Sequence, residues 1–238
     1  DHLWKKSLVL LVGALAVLLN VIRIELIAKA APPVIAEQSG SDENIAFAQA
    51  DEPPAKPKKT LKAKLPAAVQ KGVDYLFSQQ QPDGSWKIDD DNTWKIGGTS
   101  LCTLALLECG VASDEPQMKT ALQYLRSQQP KRTYEISLQT LALCAAAEPR
   151  RDAGQIAANV KLLEIGQVQQ GRGTGAWSYG TDGVINLEGG DNSNSEFAVW
   201  ALDAAADAGI DVKPATWKRS YDYWLNSQLP DGGWANTA

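Results

Sequence analysis

Residues 78–86, "SQQQPDGSW", are answered near the other end of the chain by residues 226–234, "NSQLPDGGW". Five identities hold the two in one register: Gln80 with Gln228, Pro82 with Pro230, Asp83 with Asp231, Gly84 with Gly232, and Trp86 with Trp234. The two tryptophans are 148 residues apart. "DYLFSQQ" (74–80) and "QYLRSQQ" (123–129) align at an offset of 49, one third of that distance. A looser copy, "QQGRGTGAW" (169–177), keeps the order Gln, Gly, Trp and supplies Gly175 and Trp177. A unit of this length means stacked supersecondary elements rather than one irregular domain.

Each unit holds two helical patterns. "PAAVQKGVDYLFSQQ" (66–80) places Val69, Val73, Leu76 and Phe77 at helical spacing, with Lys71 and Asp74 opposite, behind a Pro66 start. That helix has a wet side. "TSLCTLALLECG" (99–110), "ISLQTLALCAAAE" (136–148) and "SEFAVWALDAAADAG" (195–209) are apolar around most of their circumference, with Gly110 and Gly209 as C-terminal stops. Wet outer helices alternating with dry inner ones predict an all-α, two-layered α/α toroid, here a partial one of about three and a half hairpins.

Ahead of this body, residues 7–22 ("SLVLLVGALAVLLNVI") carry no charge and come after Lys5 and Lys6. Two readings stay open, a cleaved signal peptide over 1–30 or a retained membrane anchor, and both export the rest of the chain. Residues 31–65, rich in Pro, Ala and Lys, read as a linker. The toroid domain is expected over 66–238, and the absence of an initial Met reads as a fragment of a longer protein. Residues 66–238 carry 14 Lys/Arg against 21 Asp/Glu, an acidic balance that argues against nucleic acid as a partner. Cys102 and Cys109 are about 10 Å apart along one helix, too far to bond, and all three cysteines sit in apolar runs as small hydrophobes. With His2 the only histidine, no metal site is expected.

Residues 71–86, "KGVDYLFSQQQPDGSW", resemble the QW repeat of squalene-hopene cyclases and their relatives: a basic residue, Gly, an aromatic, Gln, then Gly-x-Trp. "RSYDYWLNSQLPDGGW" (219–234) fits nearly as well, whereas the copy ending near Tyr134 lacks the Gly-x-Trp. The resemblance covers about 66–238. It extends to prenyltransferase β-subunits and to exported squalene-cyclase-like repeat proteins of bacteria. Gln80, Gly84, Trp86, Gly175, Trp177, Gln228, Gly232 and Trp234 form the structural clasp of each repeat. Gln satisfies carbonyls at a helix end, Gly turns the chain and Trp covers the turn.

The resemblance implies a cyclase whose acid, in a DxDD motif, protonates an alkene at an inner-helix start. Asp89, Asp90 and Asp91 fall in the connection before an inner helix, where Gly97, Gly98, Thr99 and Ser100 are expected to take the helix-start positions. "GGDNSNSEFAVWAL" (189–202) starts an inner helix but offers Asp191 and Glu196 in place of that motif. Asp90, Asp191 and Glu196 are the catalytic candidates, with Asp191 or Ser193 alternatively an N-cap. Glu135 and Glu196 are the suggestive pair for a carbohydrate-active α/α barrel. The first two inner helices read as free of aromatics, which counts against carbocation chemistry. The zinc set of a prenyltransferase cannot be assembled without a histidine in the body. The expected function is an exported, membrane-tethered binding or scaffold module for an isoprenoid, another apolar ligand or a protein, with no cofactor. The alternative is a squalene-type cyclase whose acid lies in further repeats.

Overall fold

Prolines set where the outer helices begin. The computed structural model describes residues 66–89, 91–180 and 190–236; the apolar run at 7–22, the linker at 31–65 and Asp90 lie outside the described residues. Helix α1 (Ala67–Gln79) starts behind Pro66, and α3 (Pro116–Arg126), α5 (Pro149–Gly166) and α7 (Pro214–Ser227) each carry Pro at the first helical position, where a missing N–H costs nothing. These helices are amphipathic. In α3 the buried residues Met118, Ala121, Leu122 and Leu125 keep the three-four spacing of one helix face.

Between them run α2 (Lys95–Glu108), α4 (Thr133–Ala146) and α6 (Asn192–Asp207). Helix α4 packs against α2 on one side, α6 on the other and α5 behind, and eleven of its fourteen residues are buried. Inner helices therefore lie against inner helices, backed by the outer ones. The hairpins α1–α2, α3–α4 and α5–α6, with α7 after them, make an all-helical α/α-toroid-like arc. Among the described residues no β-strand occurs, only an isolated bridge between Arg132 and Gly180. None of the described helices is long and apolar enough to cross a membrane.

Gly110 and Gly209 take φ near 85° one residue beyond the C-caps of α2 and α6. There the Gly110 and Val111 amides donate to the Leu107 and Leu106 carbonyls, and Gly209 and Ile210 do the same to Ala206 and Ala205. Carbonyls left over at the helix end are thus satisfied.

The inner helices begin three to four residues earlier than their apolar runs suggest. Lys95, Thr133 and Asn192 open them with polar first turns that carry no apolar periodicity. Gly97 to Ser100 accordingly lie inside α2, with Trp94 at its N-cap position. Tyr134 likewise belongs to α4, so the expectation of an inner layer free of aromatics before α6 is wrong.

Candidate functional site

At the Gln80 and Gln167 clasps a side-chain amide joins the end of one outer helix to the start of the next. Gln80 Nε2 donates to Gly84 O (3.1 Å) within its own turn and to Gln117 O (3.0 Å) in the first turn of α3. Trp86, almost fully buried, donates its indole N–H to Leu76 O (2.7 Å), and its backbone N–H donates to Thr99 Oγ1 (3.1 Å). Gly84 (φ 86°) lies so close to α3 that a Cβ would sit 2.4 Å from Thr120 O.

The third copy repeats this geometry with a different glutamine from the one its sequence suggests. Gln167, not Gln169, donates to Gly175 O and Thr216 O (both 3.0 Å), while Arg219 Nε donates to Gln167 Oε1 (2.8 Å). The Gln-to-Gly spacing is eight here against four at Gln80, so four extra residues in the turn displace the signal. Trp177 donates to Leu163 O (2.7 Å) and takes Ser195 Oγ on its backbone N–H (2.9 Å). A Cβ on Gly175 (φ 97°) would lie 2.0 Å from Arg219 O. At the last copy Gln228 donates to Gly232 O (2.9 Å) and Trp234 to Trp224 O (2.8 Å), with Trp234 46% exposed.

The second unit lacks the tryptophan, and Gln139 of α4 takes its place. Gln139 Nε2 donates to Leu125 O (2.8 Å), while its Oε1 accepts from Asn159 Nδ2 (2.8 Å). Arg126 closes the same joint with a two-pronged ion pair to the buried Asp152 (2.7 and 2.8 Å). Neither Gln139 nor Asp152 carries a sequence signal, because their partners are 14 and 26 residues away.

The inner-helix starts gather the carboxylates and a set of rings. Asp191 caps α6: its Oδ1 accepts from the Asn194 backbone N–H (2.8 Å), Asn194 Nδ2 (2.8 Å) and Ser193 Oγ (2.6 Å). Burial pushes its pKa up, but the Ser193 and Asn194 hydrogen bonds outweigh it and hold the carboxyl below the ordinary value. Residues 235–236 return to this point. Asn192 N donates to Asn236 O (2.8 Å), its side chain donates to Ala235 O, and the Tyr223 hydroxyl donates to Asn192 Oδ1. Glu196 is exposed. Glu135 is buried and turned back on its own helix start, with Oε2 3.4 Å from the Lys131 and Arg132 amides and Oε1 3.7 Å from Arg132. Asp89 accepts the Trp94 N–H (3.0 Å) and Asp91 the Thr93 N–H (2.9 Å).

Around these groups Tyr134 lies 5.0 Å from Phe197 and 6.3 Å from Tyr179, and Phe197 lies 6.0 Å from Trp200, centroid to centroid. The Arg132 guanidinium stacks 4.4 Å over Trp94 and donates to Thr93 O (2.8 Å), joining the starts of α2 and α4. Tyr179 and Trp94 are exposed. Burial raises the Tyr134 phenol, only partly offset by its Ser193 hydrogen bond. Tyr134, Tyr179, Phe197 and Trp200 thus form a cluster of rings at this end, and the Arg132–Trp94 stack lies at the start of α4. Cys102 and Cys144, in the inner layer, are pushed up to about 12 by burial and are poor nucleophiles. Among the described residues no three His, Cys, Asp or Glu side chains gather as a metal site.

Residues 58–136 match the family described as squalene-hopene cyclase N-terminal domain. The match runs across α1, α2 and α3 into the first turn of α4, and over these residues the chain is similar to that family. No curated protein matches the chain.

Proposed function

We propose that this chain is an exported, membrane-tethered binding module, held through residues 7–22, whose cluster of rings at the inner-helix starts takes an isoprenoid or similar apolar ligand without cyclising it. One observation carries the reading. The carboxylate best placed at an inner-helix start, Asp191, is engaged as a cap and held below its ordinary pKa by Ser193 and Asn194. An acid that protonates an alkene needs the opposite environment, one that keeps its proton on at neutral pH. The rings of Tyr134, Phe197 and Trp200 at the same end offer apolar faces in place of a donor.

The test offers squalene and shorter isoprenoids to the full chain in vesicles. Saturable quenching of tryptophan fluorescence is expected, weakened about tenfold or more in Tyr134→Ala/Phe197→Ala, with no cyclised product. Cyclised product that disappears in Asp191→Asn/Glu196→Gln, with the fold intact, overturns the reading. For location, a reporter active only outside the cytoplasm and fused after Leu65 should give signal. A second reading, a squalene-type cyclase whose acid is supplied by another segment, draws support from the family match at 58–136.

A further inference from the structure

We infer that the ligand of the ring cluster is a cation: an apolar chain ending in a quaternary ammonium group, held by the rings of Phe197 and Trp200 beside the Glu196 carboxylate. This rests on the reading of the cluster as an apolar site and adds a charge to what that site takes.

The geometry begins with α6. Glu196 precedes Trp200 by four residues, so the two lie one turn apart on one side of the helix, away from the buried Ser195, Ala198, Leu202 and Ala205. Glu196 is exposed, and Phe197 and Trp200 are half-buried. Tyr134 lies 5.0 Å from Phe197, which lies 6.0 Å from Trp200. Each ring presents a negative face that attracts a cation.

The charge around these rings is negative. Burial is the main reason that the Tyr134 phenol is raised, and the charges of Asp191 and Glu196 add to it, so both carboxylates are felt at that ring. Asp191, held below its ordinary value, is ionised at neutral pH. In sequence the connection 181–189, "TDGVINLEG", adds two acids and no Lys or Arg. At the start of α2 the fold answers its rings from within: Arg132 stacks 4.4 Å over Trp94, and Lys95 lies 5.3 Å over Tyr124. At the start of α6 the same chemistry is offered to a ligand. A neutral isoprenoid would use the rings and leave the carboxylate field unanswered, and an anionic one would be repelled by it. A primary amine would bring three N–H groups that need acceptors. A quaternary ammonium brings none, and aromatic rings beside a carboxylate are the surroundings that suit it.

The test uses the full chain in an uncharged detergent and two probes of one shape, compared by titration calorimetry: geranyl-trimethylammonium, and the same geranyl chain ending in an uncharged tert-butyl group. The ammonium should bind about tenfold or more tighter, with its N-methyl protons shifted upfield by the rings. Glu196→Gln should narrow that ratio about threefold, and Glu196→Gln/Trp200→Leu should bring it close to one. Glu196 is exposed, so its single variant should keep the fold and carries the test if the double variant melts early. Dihexanoylphosphatidylcholine, whose phosphate the carboxylates repel, should not displace the ammonium. Equal binding of the two probes, a ratio that Glu196→Gln leaves unmoved, or displacement by the phospholipid overturns the inference and leaves the apolar site standing. If neither probe binds, the apolar site falls with it.

Discussion

At the α5–α7 joint the indole of Trp177 donates to Leu163 O; at the α3–α5 joint there is no tryptophan, and Gln139 reaches from the inner layer to donate to Leu125 O. Leu163 precedes the clasp glutamine by four residues, and Leu125 precedes the matching Gln129 by four. What recurs along the arc is therefore a carbonyl in the last turn of an outer helix that takes a side-chain donor from beyond that helix. The residue that answers it is free to change. A tryptophan answers with one bond and a large apolar ring. A glutamine brings no such area and depends on companions: Asn159 on its Oε1, and the Arg126–Asp152 pair alongside.

The difference predicts unequal penalties. Trp177→Ala removes a fully buried ring and its bond, and should cost about 3–5 kcal/mol in urea unfolding. Trp234→Ala removes a half-exposed ring and should cost about 1 kcal/mol in dilute protein. Equal penalties would break the contrast between the two clasps.

At the joint without tryptophan the ion pair is the feature to break. Asp152 is 1% exposed, so Asp152→Ala leaves the Arg126 guanidinium without its main partner. Glu148 lies 3.3 Å from Arg126 and compensates in part. The expected cost is about 3 kcal/mol, at the low end for a broken buried pair. Arg126→Met/Asp152→Leu should regain most of it, since two apolar groups of similar volume carry no desolvation cost. A double variant as unstable as Asp152→Ala would mean that the pair's directed hydrogen bonds, not its relief of buried charge, hold α3 to α5.

The layered repeat is legible because it rests on short-range signals: a 49-residue offset, prolines at helix starts and apolar runs. Legibility stops where partners are distant in the chain. Lys95, Thr133 and Asn192 begin the inner helices with polar residues that periodicity does not see, so periodicity leaves Tyr134 outside the inner layer and hides the ring cluster. Helix α5 escapes for a related reason. Its sequence "PRRDAGQIAANVKLLEIG" is polar over its first turn, although Pro149 marks its start. Gln167 is hidden by four extra turn residues, and the Arg126–Asp152 pair by a separation of 26. The ring cluster and the stack beside it are made by tertiary neighbours, Tyr134 with Phe197 and Arg132 with Trp94, and no local pattern encodes such a meeting.

The smallest expected effect separates the first clasp from the last by charge. Asp83 accepts the Ser85 hydroxyl (2.5 Å) and amide (3.0 Å) and pairs with Lys95 (2.9 Å), whereas Asp231 has Gly233 in place of the serine and accepts that residue's amide. The Ser85 and Lys95 bonds lower the Asp83 carboxyl to about 2, against a small opposing push from burial. A carboxyl depressed in the folded state binds its proton less readily there than in the unfolded chain, so it adds stability above the unfolded value of 3.8. That contribution is lost as the pH falls from near 4 through about 2. Asp83 is half exposed, so solvent keeps the effect within about 0.2–1 kcal/mol, the range of a surface ion pair. Asp83→Asn should therefore be less stable than wild type at pH 6 by that amount, and the gap should close on acidification to pH 2. Asp91 and Asp191 are also depressed and steepen the acid limb of both proteins, so only the difference between the two curves reports on Asp83. A difference that stays constant from pH 6 to pH 2 would remove the charged Ser85–Lys95 arrangement as the reason for Asp83 and leave its turn geometry alone.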